Sequence, residues 1–383
     1  MIISYTDPRS WVFLTVFAAV ILTAVPRSQA IETQAKQAYL IDVATGTVLL
    51  EKNAEQSVAP ASMSKLMTVY LVFELLKDGR LSLDDKFLVS KKAWRKGGSK
   101  MFVKVNSRVR VEDLLRGIIV QSGNDACIVF AEGLAGSEAA FADQMTKRAR
   151  ELGLNNSMFK NATGWPHPEH LMSARDIAHL SMRIARDFPG YYAIFSEKNF
   201  TYNKIKQGNR NPLLYRDSGA DGLKTGHTKA SGYGLAASAK RGDRRVVLVV
   251  NGLPSVRARS SESLRLIDWA FRAFENFSLF KKGDTVDQAD VWLGTEATVP
   301  LIIDRDVKVT LQRRFRRKMT AKIIFTGPIP APIAKGAPIA RLEITAPEFK
   351  TLSIPLHAGI DVGQRGMFGR LGAAVRYMIW GSS

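Results

Sequence analysis

The amino-acid sequence predicts an α+β protein, an antiparallel sheet with helices on both faces followed by a small all-β domain and a C-terminal amphipathic helix. Two observations carry this reading. Hairpin patterns begin and end a long stretch that otherwise has helical periodicity, so the two ends of that stretch supply one sheet. From about Ser278 the pattern changes to short alternating runs set between Pro and Gly, the mark of a separate β domain.

The chain opens with "MIISYTDPRS" and then fifteen residues without a charge, Trp11 to Val25. That run is shorter than the roughly 20 apolar residues of a membrane span. Ser28-Gln29-Ala30 supplies small residues for cleavage after Ala30, so residues 1–30 read as a secretory signal. A single cysteine, Cys127, excludes an internal disulfide; set in "NDACIVFA", it reads as a small buried side chain.

Next comes "AYLIDVATGTVLLEK", a hairpin with strands Ala38 to Val43 and Val48 to Glu51. The run Ser62 to Lys77 is apolar on every side, through Leu66, Val69, Leu71, Val72, Phe73 and Leu75, which predicts a buried helix stopped by Gly79. Further helices are predicted over Val111 to Ile119, Asp125 to Leu134, Ala139 to Leu152, Ser173 to Asp187 and Ala258 to Phe274. A second hairpin, Gly232 to Ala239 and Arg244 to Asn251, turns at Arg241-Gly242-Asp243. In the β domain "DVKVTLQ", "AKIIFTG", "PIARLEIT" and "FKTLSIPLH" alternate polar and apolar residues, to about Ile360. In the tail, Met367, Phe368, Leu371, Val375, Met378 and Ile379 fall on one helical face, with Arg370 and Arg376 off it. Such a helix, ending near Trp380, suits a membrane interface, or it docks on its own β domain. The expected domains are 1–30, 31–277, 278–362 and 363–383.

With 55 Lys+Arg against 35 Asp+Glu, the net charge is +20. Such a protein adsorbs to polyanions: nucleic acid, an anionic membrane surface or an acidic envelope polymer. The most basic stretch is "RRFRRK", Arg313 to Lys318. Only Phe315 interrupts it and the signal points out of the cytoplasm, which argues against nucleic acid. It reads as a solvated strand face, or as a contact for anionic phospholipid that would cooperate with the tail.

The chemistry concentrates in three short stretches. In "ASMSKLMT", Ser62 and Lys65 stand three apart, so they share one helix face. In the first helical turn, the Ser62 N–H is an unpaired donor at the positive end of the helix dipole, placed to stabilise an oxyanion. Lys65 works as a base only if burial or a second cation lowers its pKa. Otherwise Ser62 is a helix cap and Lys65 faces solvent. "QSGNDA" adds Ser122-x-Asn124, and "DGLKTGHT" adds Lys224-Thr225-Gly226 ahead of the strand "GYGLAAS".

Ser-x-x-Lys, Ser-x-Asn and Lys-Thr-Gly, in that order, define the penicillin-recognising serine enzymes. With the downstream "ARSSESLRLIDWAFRAFE", the chain resembles the D-alanyl-D-alanine carboxypeptidases among the low-molecular-mass penicillin-binding proteins, from about residue 36 to 276 and more loosely beyond. The resemblance implies a β-lactamase/transpeptidase-like first domain. It implies that Ser62 attacks the carbonyl between two D-alanines while Lys65 takes its proton, and that Ser122 relays a proton to the leaving amine. Asn124 would bond the substrate amide. Lys224 would be the cation that lowers Lys65, Thr225 would hold the terminal carboxylate, and Gly226 would let the substrate backbone lie close. The N–H of His227 would be the second oxyanion donor, with Arg210 and Arg259 helping to bind the carboxylate. The implied partners are peptidoglycan stem peptides, β-lactams as inhibitors, and the anionic inner-membrane surface through the tail, with no cofactor and no metal. The implied place is the periplasmic face of the inner membrane.

Two enzyme alternatives share the site. A class A β-lactamase deacylates with a glutamate in Glu-x-x-Leu-Asn, and "ELGLN", Glu151 to Asn155, contains that string at a helix end. A D,D-endopeptidase would use the same acyl-enzyme on cross-links. The five histidines form no ligand cluster; His167 and His170, in "GWPHPEH", read as exposed loop residues or as a substrate-side loop.

Overall fold

The computed structural model describes residues 31–367 and Gly369. The signal segment expected at 1–30 and, save residues 363–367 and Gly369, the amphipathic segment expected at 363–383 lie outside the described residues.

The first hairpin is β1 (Gln37–Asp42) and β2 (Val48–Lys52). The later strands are β3 (Ala220–Thr228), β4 (Gly232–Arg241) and β5 (Arg244–Leu253). Together they form one antiparallel sheet in the order β2-β1-β5-β4-β3, so chain segments some 200 residues apart pair at its centre, Leu40 opposite Leu248. Val246 to Val250 of β5 are all fully buried, as a central strand with both faces covered requires. β3 stands at the sheet edge. It is absent from the strands predicted, because "ADGLKTGHT" has two glycines and no alternation of apolar residues.

The helices between are α1 (Lys65–Lys77), α2 (Val111–Ile119), α3 (Asn124–Ala135), α4 (Glu138–Glu151) and α5 (Ala174–Asp187), with α6 (Val256–Ala273) after the sheet. Ser137, Ser173 and Ser255 cap α4, α5 and α6 by accepting from the backbone N–H three residues on. α1 is buried on most sides, with Phe73 among the rings of Phe188, Tyr191 and Phe195. It is the central helix that its all-round apolar sequence predicts.

The β half starts without a break: strand Phe274–Phe280 follows α6 directly and pairs with Val307–Gln312. Beside this pair lies a six-stranded sheet that includes the expected segments as Thr320–Ile324, Pro338–Ala346 and Phe349–Ala358. Ala289, Val299, Leu301, Ile344 and Leu356 belong to its own core. "RRFRRK" departs from the expectation of a strand face. Arg313–Lys318 is a 3₁₀ turn with no buried residue, because six residues without an apolar alternation give a sheet nothing to bury.

Candidate active site

Ala61–Ser64 forms a 3₁₀ turn that leads into α1. Ser62 therefore sits in this turn and not, as expected, in the first turn of the α-helix itself. Lys65 begins α1 and is fully buried. Its Nζ lies 2.8 Å from Ser62 Oγ and donates to the Thr163 carbonyl at 2.5 Å. Burial, with the charges of Arg210 and Lys96 adding, lowers its pKa to about 8. Desolvation is thus the main cause, the first of the two the sequence reading named, where the family resemblance looked to Lys224. Lys224 is itself buried, and its pKa falls well below the ordinary value through burial and then the repulsion of Lys65, Arg210 and Arg259. Two ammonium groups so placed disfavour double protonation, and the Lys65 amine becomes neutral as pH rises through about 8.

Ser122 is buried with φ of 60°, a left-handed conformation unusual for a residue with a side chain. Two residues on, α3 starts with Asn124 and the fully buried Asp125. The Asp125 carboxylate accepts from the backbone N–H of Met101 at 3.0 Å and Phe102 at 2.9 Å. Asn124 donates through its backbone to the Ser99 carbonyl at 2.7 Å and through Nδ2 to the Gly97 carbonyl at 2.8 Å. A Cβ on Gly98 would come within 2.7 Å of Asn124 Nδ2, so the loop before Met101 can close on Asn124 only with glycine there.

The third wall is β3. A Cβ on Gly226 would stand 2.7 Å from the Pro60 carbonyl oxygen and 3.1 Å from Met63 Cγ. The sequence reading gives this glycine to the substrate; the crowding here comes from the protein, and the missing side chain lets the strand lie against the nucleophile turn. Thr225 is buried and the His227 side chain is exposed, its ring stacked on Tyr233 at 3.9 Å between centroids. The Arg259 guanidinium lies 5.8 Å from the same Tyr233 ring, and its buried Nε has no hydrogen-bond partner among the described residues. Arg210 donates to Ser99 Oγ at 2.5 Å. Arg210 and Arg259 are close enough to depress the proton affinity of Lys224, and Arg210 that of Arg259, so the structure brings the expected cations to one place.

The family model described as D-alanyl-D-alanine carboxypeptidase matches residues 23–255, and that of the penicillin-binding protein 5 C-terminal domain matches residues 274–364. The chain belongs to the D-alanyl-D-alanine carboxypeptidase family. D-alanyl-D-alanine carboxypeptidase DacC of Escherichia coli K12 is 38% identical over 367 residues, 94% of this chain and 92% of the relative. Penicillin-binding protein 5 from Haemophilus influenzae superposes with a TM-score of 0.78 at 36% identity, covering 87% of this chain and 99% of that one. Penicillin-binding protein D2 from Listeria monocytogenes, solved in an ampicillin-bound form, aligns at 29% identity with a TM-score of 0.58, over 63% of this chain and 99% of that one. The protein is a serine-type D-alanyl-D-alanine carboxypeptidase, a hydrolase, with the penicillin-binding catalytic fold followed by an all-β domain.

Sequence reasoning offered "GWPHPEH" as a substrate-side loop but missed the backbone carbonyl by which this loop completes the carboxypeptidase site. Between Met158 and Leu171, whose backbones bond to each other at 2.8 and 3.0 Å, the chain runs out and presents the Thr163 carbonyl to Lys65. Asn161 Oδ1 accepts from the N–H of Thr163 and of Trp165 at 3.1 and 3.0 Å, which shapes the turn. Gly164, with φ of 76°, passes so close to Ala61 that a Cβ would overlap its carbonyl oxygen. Asn-x-x-Gly in "NATGW" was the available signal. His170 lies at the loop's neck and is buried, contrary to its reading as exposed. Its Nδ1 accepts from the Lys160 N–H at 3.2 Å, its ring meets Phe159 edge-on, and burial pushes its pKa down to about 4, so the imidazole is neutral. His167 is exposed. Glu151 is half-exposed at the end of α4 and paired with Arg148 at 2.7 Å, which suits a surface ion pair and not a deacylating base. Cys127 is buried, and its thiol is pushed up to about 12 by burial, so it is no nucleophile. Among the described residues no helix is long and apolar enough to cross a membrane.

Proposed function

We propose that this carboxypeptidase removes the terminal D-alanine of peptidoglycan stem pentapeptides through an acyl-enzyme on Ser62. The observation that carries the reading is the buried Lys65 amine 2.8 Å from Ser62 Oγ, within the reach a general base needs. Ser62 Oγ attacks the carbonyl between the two D-alanines and its proton passes to Lys65 Nζ. The N–H groups of Ser62 and His227 hold the oxyanion. The C–N bond breaks as Ser122 relays a proton to the departing amine, which leaves as D-alanine. Water then adds to the ester, the proton returns to Ser62, and the shortened peptide departs as a carboxylate.

The substrate lies along the outer edge of β3 as an added strand, its amide bonded by Asn124 and Gly226 keeping β3 against Ser62. Its terminal carboxylate meets Thr225 and the positive field of Lys224, Arg210 and Arg259, whose unpartnered Nε suits an incoming acceptor. β-lactams acylate the same serine, as the ampicillin-bound neighbour suggests. The protein is exported by residues 1–30 and held at the periplasmic face of the inner membrane by residues 363–383, with its peptidase domain at 31–277 and β-sandwich at 278–362.

Mass spectrometry of a stem pentapeptide incubated with the enzyme should show a product shorter by one alanine, and Ser62→Ala should lose both this product and labelling by fluorescent penicillin. Labelling that survives the substitution would place the nucleophile elsewhere. Deleting 366–383 should release the protein in vesicle flotation; continued flotation would refute the anchor.

A further inference from the structure

A cleft of about 420 Å³ lies away from the catalytic residues, where the end of the peptidase fold meets the β half. It is lined by Arg241 and Arg244, on either side of the β4–β5 turn, by Asp268, Phe271 and Arg272 of α6, and by Phe274, Glu275 and Arg313. We propose that this cleft binds a phosphate group.

Arg244 is the residue with an unmet need. A guanidinium has five N–H donors in a rigid plane. The Arg244 Nε donates to the fully buried Asp42 at 2.7 Å, and Nη1 donates to the carbonyls of Ala270 and Phe274 at 2.9 and 2.8 Å. Nη2 is buried and has no partner among the described residues. Its two donors therefore need an acceptor from outside the chain, because a buried donor left unmade is costly.

The neighbours decide the kind of acceptor. The Arg241 and Arg244 guanidinium carbons lie 4.6 and 5.4 Å from the centre of the Phe271 ring, so one aromatic floor orients both planes. Arg241 is tied to Asp268 at 2.5 Å and Arg313 to Glu275 at 3.3 Å. Arg272 is exposed and has no carboxylate partner among the described residues. The four arginines therefore exceed the carboxylates that line the cleft with them, and the balance favours an anion. Four guanidiniums around one cleft match a tetrahedral oxyanion with acceptors on every side better than a planar carboxylate with acceptors in one plane. The exposed 3₁₀ turn Arg313–Lys318 starts at the cleft's own Arg313 and adds a positive field that draws such an anion in. This gives "RRFRRK" a function that catalysis leaves unassigned.

A phosphate can arrive as the free ion or within a phospholipid headgroup, and the experiment separates the two. Inorganic phosphate is titrated into the full chain by calorimetry, with ionic strength held constant by chloride. Saturable binding and a raised unfolding temperature are expected. The double variant Arg272→Ser/Arg313→Ser, both exposed residues, should weaken binding about tenfold or more while leaving acylation by fluorescent penicillin unchanged. Arg244→Gln should abolish binding, but it strips Asp42 of its partner, so the double variant carries the test if that protein fails to fold. With vesicles of phosphatidylcholine and phosphatidylglycerol, weaker binding by the double variant, reversed by phosphate in the parent, identifies a headgroup; equal vesicle binding by both identifies free phosphate. Phosphate that binds no better than chloride, or equally well to the double variant, would overturn the proposal and leave the cleft to water.

Discussion

Lys65 and Lys224 on one side, and the turn Arg313–Lys318 on the other, hold the same kind of charge in opposite surroundings. The two lysines are buried and the turn has no buried residue. Burial takes the proton affinity of Lys65 down to about 8 and makes it a base, whereas exposed cations are screened and contribute through their summed field. A net charge of +20 therefore says little about the chemistry. What matters is which cations the fold removes from water.

The largest effect is expected from Lys65→Met, which should lower penicillin acylation by about 10²–10⁴-fold, the range for loss of a general base. It should also change how stability depends on pH. The folded pKa of Lys65, about 8, lies below its ordinary 10.5, so the unfolded chain binds more protons between those values. The cost of burying the ammonium is full below pH 8 and is relieved as pH rises toward 10.5. From pH 7 to pH 10 the parent should gain about 2–3 kcal/mol relative to the variant, at about 1.4 kcal/mol per pH unit above the folded pKa. Urea denaturation at both pH values measures this; parallel pH profiles would mean that Lys65 is not desolvated.

Next in size is the acylation rate of the parent, which should rise about tenfold per pH unit below the folded pKa and level off above it, as neutral Lys65 accumulates. Lys65→Arg should flatten that rise, because a guanidinium stays protonated throughout. Stopped-flow labelling across the pH range reads both, and a flat parent profile would remove Lys65 as the titrating base.

The contrast also explains what could and could not be read from the sequence. α2 and the two hairpins are legible because apolar periodicity marks a face that must be buried, α1 because it is apolar on every side, and Ser62, Lys65, Ser122, Asn124 and Lys224 carry their chemistry in side chains at fixed spacings. β3 is not legible, since an edge strand that packs Gly226 on Pro60 and Met63 and Gly222 on Tyr192 and Phe195 has no such periodicity. Nor is the acceptor for Lys65, which is a backbone carbonyl 98 residues away. A carbonyl has no residue identity, and only the fold of the 158–171 loop brings it there.

That loop supplies the third prediction. His170→Ala should open its neck by removing the acceptor for Lys160 N–H and the contact with Phe159. Acylation should fall about tenfold, with the midpoint of its pH profile moving upward as water reaches Lys65. His170→Gln, which keeps an acceptor, should restore most of both. Loss of stability with an unmoved midpoint would give His170 a packing role only.

The smallest effect is expected at the exposed turn. Arg317→Ser with Lys318→Ser removes two charges whose side chains lie in solvent. Substitutions of this kind usually change stability by less than about 0.5 kcal/mol. Acylation at fixed ionic strength should match the parent, because the cations that act on Lys65 are Arg210 and Lys96 inside the site. If acylation instead slows, and the difference fades as salt is added, the turn's field reaches the catalytic serine and the division between buried and exposed charge fails. Equal rates at every salt concentration would confine the surface field to binding and leave the chemistry to the buried lysines.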